Sequence, residues 1–406
     1  MRMQLNNIIV LNISLFAILF FSSSILTAQN SEYQMKENDK EVTIDFLSSY
    51  YEQDGNNSPV TGGIGTESLQ DIASVIVVNI PLDSINAISV TAGADYYTSA
   101  STDMIDRNNS SASSKDVRAY GIVSYSRKNL KRNETYGIKV GASAEYDYQS
   151  VSFGLSYAKE FNNGNSEFNL AAQAFIDNWT PYIPSELRGS TSFATTSRNS
   201  FNLQASYAQV INKRMQASIS AEAIYMKGLL STPFHRVYFQ DANFGRVENL
   251  PESRLKIPVG IRFNYKPTDN IFLRSYYRFY IDDWGSTAHT ASLEVPIKVS
   301  DWFTLAPFAR YHKQSAVDYF APFAESLVSD EFYSADYDLS ALSSQKFGLR
   351  LKISPLYGLA RIKIGSKRTF QLKSINVRAA YYERDTGLTA YIASVNLSFG
   401  LRRNKQ

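Results

Sequence analysis

Residues 135–150 (TYGIKVGASAEYDYQS) alternate between two kinds of side chain. One alternate set is apolar or aromatic and runs from Tyr136 to Tyr148, whereas the other is small, polar or charged and includes Lys139 and Asp147. A period of two indicates a β-strand, because successive side chains of a strand point to opposite faces. We expect one long strand that ends at a tight connection at Gln149–Ser150 and whose apolar face meets either a protein core or lipid.

The same alternation recurs from about Val42 to the C-terminus, in segments of ten or more residues. Strands of soluble sheets average about 5–6 residues, whereas transmembrane strands need about 9–11 residues. The chain contains no second apolar run of helical-span length after its N-terminus. Because only helices and closed barrels satisfy their backbone inside a bilayer, the pattern predicts an all-β fold, a closed antiparallel up-and-down transmembrane β-barrel of about 16 strands.

The connections between these strands support the barrel interpretation, because long and short ones alternate. The long ones are Glu52–Ser68, Ser99–Asp116, Thr180–Arg198, Gly228–Glu252 and Gln314–Gln345. All of them fall on one side of an up-and-down meander, as outer loops of bacterial barrels do. Aromatic residues also cluster at strand ends, with Trp179 and Trp284 near the long loops and Trp302 near the short turns. This clustering predicts two aromatic belts at the membrane interfaces.

The N-terminus predicts export. Arg2 precedes an apolar run over residues 8–21, and a stretch of small residues ends at Ala28. This order is typical of a secretory signal peptide, with an uncleaved anchor as the alternative. We expect a signal peptide over 1–28, a short periplasmic segment over 29–40 and the barrel over 41–402. The expected location is the outer membrane of a Gram-negative bacterium, with lipid and the barrel-assembly machinery as partners.

Composition excludes several classes of function. The balance of 41 Lys+Arg against 38 Asp+Glu leaves a net charge of +3, so we expect no nucleic-acid partner. The chain has no cysteine, which excludes disulfides and thiolate metal sites. Its histidines, His235, His289 and His312, show no spacing typical of metal ligation, so we expect no metal site, no catalytic residue and no enzyme.

The polar faces of the second half of the chain are basic. The candidate lumen residues are Arg262, Arg274, Arg278, Arg310, Arg350, Lys352 and Arg378. Such a wall would attract small anionic solutes. The alternative is that acids of an inserted loop over Gln314–Gln345 pair with these residues and close the pore.

Two early stretches are candidate sites of other kinds. The first is rich in glycine and in carboxylate or amide side chains, which could bind an ion: Asp54, Asn56, Asn57, Gly62, Gly63, Gly65 and Glu67. The second, DYYTSAS, is similar to the short pattern at which periplasmic flavin transferases attach FMN. That similarity makes Ser101 a candidate for covalent FMN, although no cofactor is the main expectation.

The segments DGNNSPVTGGIGTE and GADYYTSASTDMID, with SPLYG and YYERDTGLTAYIASVNLSFGL near the end, resemble domain-of-unknown-function family 3570. The resemblance implies an outer-membrane barrel without an assigned activity. We therefore expect a pore or binding barrel for small anionic solutes. The alternatives are a plugged structural or interaction barrel and an accessory of a flavin-transfer redox system.

Overall fold

The computed structural model describes residues 41–98, 115–181, 195–365 and 368–403. The predicted signal peptide, the predicted segment over 29–40 and Ser101 lie outside these ranges. Among the described residues, no helix is long and apolar enough to cross a membrane. The strands are β1 Val42–Gly55, β2 Glu67–Pro81, β3 Asn86–Thr98, β4 Lys115–Asn129, β5 Glu134–Ala144, β6 Tyr148–Phe161, β7 Ser166–Trp179, β8 Thr196–Asn212, β9 Met215–Gly228, β10 Arg236–Tyr238, β11 Gly245–Val247, β12 Ser253–Tyr265, β13 Leu273–Asp282, β14 Thr287–Glu294, β15 Ile297–Lys298, β16 Phe303–Gln314, β17 Leu342–Ile353, β18 Ala360–Ile364, β19 Arg368–Arg384 and β20 Thr389–Arg403.

All strands except β10 and β11 form one antiparallel sheet that closes on itself. The first strand pairs with β2 on one side and with β20 on the other, from Val42↔Leu401 to Asp54↔Thr389. At two places, two strands lie along the same neighbour and together count as one strand of the wall. β14 and β15 both pair with β16, and β17 and β18 both pair with β19. The wall therefore has 16 strands, which confirms the predicted closed up-and-down barrel.

Exposure alternates along the strands as the sequence pattern predicts. On β6, Phe153 and Leu155 are exposed, whereas Ser152 and Gly154, which alternate with them, are buried. In a closed sheet the exposed apolar face points outward and the polar face points into the lumen. The outer surface is therefore apolar, and the polar side chains line the interior.

The stretch over 135–150 is not one strand, which corrects our expectation. The fifth strand ends at Ala144, and the backbone N–H of Glu145 donates to the carbonyl of Tyr148 at 2.8 Å in a tight turn. Because the turn falls at residues 145–147, Tyr148 starts β6 on the lumen face and donates its hydroxyl to Asp177 at 2.5 Å. It does not belong to an outer aromatic belt.

The two tryptophans near the long loops also lie inside the protein. Trp179 is fully buried beneath the guanidinium of Arg198, 4.9 Å from the ring centroid. Trp284 is buried beneath Arg254 at 4.2 Å. The belt interpretation is wrong for these two residues, because each indole ring is buried inside the protein, where it makes a cation–π contact with an arginine. Trp302, by contrast, is 53% exposed near a short turn.

The outward apolar face yields a stability prediction. We expect Leu155→Arg to destabilise the barrel by about 2–4 kcal/mol, because the residue lies mid-strand on the lipid face. The measurement is equilibrium urea unfolding in lipid vesicles. Leu356→Arg is the matched control, since Leu356 is 88% exposed in the connection after β17. Equal costs at both positions would contradict the assignment of the lipid face.

Candidate functional site

The candidate basic residues all face the lumen along one arc of the wall. They lie on neighbouring strands: Arg262 on β12, Arg274 and Arg278 on β13, Arg310 on β16, Arg350 and Lys352 on β17 and Arg378 on β19. The period of two on each strand and the closure of the sheet place them side by side. The arc divides into residues that share a carboxylate and residues that do not.

One carboxylate, Glu294 of β14, forms ion pairs with three arginines of this arc. Its Oε1 lies 3.1 Å from Nη1 of Arg274 and 2.9 Å from Nη2 of Arg350. Its Oε2 lies 3.7 Å from Nη2 of Arg378, whose guanidinium also covers the ring of Phe308 at 3.9 Å. The acid that pairs with these arginines therefore comes from the wall. The alternative that the loop over Gln314–Gln345 supplies it is wrong for these residues.

Three further cations form what we call the anion cluster: Arg278, Arg310 and Lys346. Arg310 and Lys346 are direct cross-strand partners, and Thr290 and Ser292 of β14 separate them from Arg278 on β13. Within the part of the chain that the structure describes, none of the three forms an ion pair with a carboxylate, and the buried Nε of Arg278 has no hydrogen-bond partner. Like charges placed directly opposite each other destabilise a sheet. A bound anion would relieve that repulsion.

Sequence reasoning missed Lys346, although it shares the face of Arg350 and Lys352. The remaining members of the predicted wall, Arg262 and Lys352, form no ion pair among the described residues. The guanidinium of Arg262 lies over the ring of Tyr276, 5.5 Å from its centroid. Lys352 is in register with Thr304 and Asn376.

Three loops close the long-loop end of the barrel, and we call them the loop cap: residues 56–66, 229–252 and 315–341. The first two connect β1 to β2 and β9 to β12, so half of the wall, β2 to β9, separates them. They nevertheless touch, since Nη1 of Arg236 donates to the carbonyl of Val60 at 2.9 Å. Contacts between loops from opposite sides require that the cap spans the mouth.

The loop cap has two apolar cores of its own. One is built from Leu230, Leu250, Val317 and Leu339 of two cap loops, which pack with Trp284 of the turn between β13 and β14. The other is built from Val237, Phe239, Tyr333 and Ala335. Burial of apolar side chains from two loops in each core stabilises the closed arrangement by the hydrophobic effect.

The glycines of the predicted ion site allow the loops of the cap to pack closely against each other. Gly62 has a φ of 83°, and a Cβ there would lie 2.6 Å from the ring of Tyr238 on the opposite loop. Gly63 approaches the carbonyl of Ala335 in the same way. Gly65 also has positive φ, and its carbonyl accepts from the N–H of Ser58.

The polar members of that candidate site are dispersed. Asn57 donates to the carbonyl of Thr386 at 2.6 Å, and Glu67 accepts from Gln53 at 2.9 Å. Asp54 and Asn56 are exposed at the surface. The two carboxylates thus lie apart, one buried and one in solvent.

Hydrogen bonds tie the cap to the wall beside the anion cluster. Nδ1 of His312 lies 2.8 Å from Oγ1 of Thr290, and its Nε2 lies 3.2 Å from Oε1 of Gln314. Nε2 of Gln314 donates to the carbonyls of Asp338 and Ser340 at 2.9 and 2.8 Å. One chain of contacts therefore joins the lumen wall to residues 315–341.

Inside the cap, the structure brings together three ionisable side chains that the sequence spacing did not single out: His235, Glu248 and Asp336. All three are fully buried. Burial lowers the pKa of His235 and raises the pKa of Asp336 well above its usual range. Burial also opposes ionisation of Glu248, but His235, the Ser334 hydroxyl and the Thr232 amide lower its pKa overall. No sequence signal could show this cluster, because its members lie on two separate loops.

Comparison with known proteins places this barrel in a family. The profile of the family described as "Protein of unknown function (DUF3570)" matches residues 16–401. The chain belongs to this family. No match is found among curated protein sequences.

Solved structures with a similar fold are outer-membrane barrels. The "bacterial polysaccharide outer membrane secretin" is 11% identical with a TM-score of 0.46, over 90% of this chain and 98% of that chain. OccAB1 of Acinetobacter baumannii is 9% identical with a TM-score of 0.39, over 91% and 99%. The ferric enterobactin receptor PfeA of Pseudomonas aeruginosa is 11% identical with a TM-score of 0.45, over 86% of this chain and 54% of the receptor. At these identities the likeness concerns the fold alone.

The packing of Gly62 predicts how the cap can be loosened. We expect Gly62→Ala to cost about 1–2 kcal/mol for the left-handed backbone and, in addition, to push Tyr238 away and expose the cap loops to protease. Gly164→Ala is the control, because Gly164 has a φ of 81° with nothing within 4 Å of its Cβ position. Limited proteolysis followed by mass spectrometry checks the outcome. Equal protection of the cap loops in both variants would contradict the closed contact.

Proposed function

We propose that this protein is an outer-membrane barrel that binds small anions at the anion cluster and passes them when the loop cap opens. The observation that carries the proposal is the position of Arg278, Arg310 and Lys346 on the lumen face without a paired carboxylate among the described residues. The proposal assigns no catalytic residue and no cofactor.

The chemistry of the cluster favours a compact oxyanion such as a carboxylate or a phosphate. A guanidinium offers two parallel N–H groups that match the two oxygens of such an anion. Arg310 and Lys346 approach from adjacent strands, and the unsatisfied Nε of Arg278 adds a further donor. Charges on a lumen wall are screened less than surface charges, so they concentrate anions in the lumen.

The arginines that pair with Glu294, which are Arg274, Arg350 and Arg378, differ from the anion cluster in already having a carboxylate partner. That carboxylate competes with any incoming anion. Glu222, the acid on the neighbouring part of the wall, accepts a hydrogen bond from Gln204 at 3.2 Å and lies within electrostatic range of Arg278 without forming an ion pair with it. Binding should therefore depend on the anion cluster much more than on Arg274.

We expect Arg310→Gln and Lys346→Gln each to weaken binding of inorganic phosphate or acetate by about 10–100-fold, because a hydrogen bond to a charged group contributes about 1.5–3 kcal/mol. Arg274→Gln, the matched control, should leave the affinity unchanged. Isothermal titration calorimetry of the purified barrel in detergent measures all three. Equal losses in the control and the test variants would contradict a specific cluster.

A second candidate function, a closed structural or interaction barrel, is favoured by the two apolar cores of the loop cap. Planar-bilayer recordings of the Gly62→Ala variant separate the two candidates. The transport proposal expects an anion-selective reversal potential that Arg310→Glu shifts toward cations. Absence of both conductance and anion binding would overturn it and leave the structural candidate.

A further inference from the structure

The buried cluster in the loop cap has the geometry of a metal site. Nδ1 of His235 lies 3.4 Å from Oε1 of Glu248 and 3.8 Å from Oδ2 of Asp336. One potential ligand atom from each residue lies within 4.8 Å of the others. An imidazole and two carboxylates thus converge in a region without contact to solvent.

An unsatisfied oxygen points to a ligand. Oδ2 of Asp336 is buried and has no hydrogen-bond partner among the described residues, while its Oδ1 accepts from the N–H of Asp338 at 2.9 Å. A buried carboxylate oxygen without a partner costs free energy unless a cation or a proton neutralises it. The hydroxyl oxygen of Thr232 is likewise buried without a partner in the described part of the chain.

The second carboxylate is held in place by the cap itself. Oε2 of Glu248 accepts from the N–H of Thr232 at 2.7 Å, and Oε1 accepts from the hydroxyl of Ser334 at 2.5 Å. Such contacts orient the ligands in protein metal sites and tune their affinity. Glu248 is therefore positioned before any ion arrives.

The separations and the donor types favour zinc. Ligands at about 2.0–2.1 Å from a tetrahedral ion lie about 3.4 Å from each other, which matches the His235–Glu248 separation of 3.4 Å. Asp336 lies 3.8 Å from His235, and all three ligand atoms lie within 4.8 Å of one another, so Asp336 would have to move closer to bind the same ion. One nitrogen and two oxygens suit Zn²⁺, whereas Ca²⁺ and Mg²⁺ prefer oxygen alone. Thr232 or a water molecule could complete the coordination.

We propose that His235, Glu248 and Asp336 bind one divalent transition-metal ion, which stabilises the closed loop cap. The set of one nitrogen and two oxygen donors favours Zn²⁺. His235 and Glu248 belong to residues 229–252, whereas Asp336 belongs to residues 315–341. The ion therefore cross-links two loops that start from different parts of the wall. The site does not depend on what the lumen binds.

The experiment uses the full chain without a polyhistidine tag, freed of metal by chelation and dialysed against Zn²⁺, Mn²⁺ or Ca²⁺. Elemental analysis should find one Zn²⁺ per barrel and little Ca²⁺, and Zn²⁺ should raise the protease resistance of the cap loops. Asp336→Asn should abolish retention and the gain in resistance. This variant is expected to fold without metal, because it removes the unsatisfied charge.

Two further variants test the assignment of roles. Ser334→Ala should weaken Zn²⁺ binding by about 10–100-fold, because its hydroxyl orients Glu248. Glu331→Gln is the matched control, since it changes an exposed carboxylate on the same loop and should leave binding intact.

Two results would overturn the proposal. The first is that neither wild-type protein nor Asp336→Asn retains Zn²⁺, which would mean that a proton rather than a metal ion neutralises Asp336. The second is Zn²⁺ retention that survives in Asp336→Asn, which would place the ion elsewhere.

Discussion

The requirement that every backbone N–H and C=O find a partner inside the bilayer determines this structure. An open sheet would leave two edges unpaired in lipid. The pairing of β1 with both β2 and β20 removes them. Once the sheet closes, the alternating faces become an outer and an inner surface, and the long loops gather at one end. The lumen and the cap follow from this closure.

Closure concentrates charge in a place where it must be compensated. Glu294 neutralises the arginines around it, and Asp282 forms an ion pair with Arg254. The aromatic rings of Trp179 and Trp284 cover Arg198 and Arg254. Among the described residues the anion cluster forms no ion pair, and the nearby Glu222 interacts with Arg278 only at longer range. A site that keeps unneutralised charges next to each other is suited to a mobile counter-charge, which is the physical basis of the proposed anion function.

The cap depends on the diameter of the barrel as much as on its own residues. Loops from opposite sides meet only where the backbone approaches closely, and glycine at Gly62 and Gly63 permits both the left-handed conformation and the contact. Gln314 and the ion pair between Arg384 and Asp338, at 2.5 Å, connect the cap to the wall. A change in the lumen charges could therefore reach the cap through these contacts.

The amino-acid sequence by itself determined the all-β fold, a count of about 16 strands and the basic inner face, because a period of two and strand length are local properties of the chain. The prediction from the sequence was wrong for the turn over residues 145–147 and for the position of Trp179. Hydrogen bonds and cation–π contacts with other strands determine the structure at both places. Only the tertiary structure decided that Glu294 serves three arginines, that Lys346 joins Arg310, and that His235 meets Asp336. These contacts join residues on different strands or loops, and the register and closure of the sheet, which no local pattern encodes, bring them together.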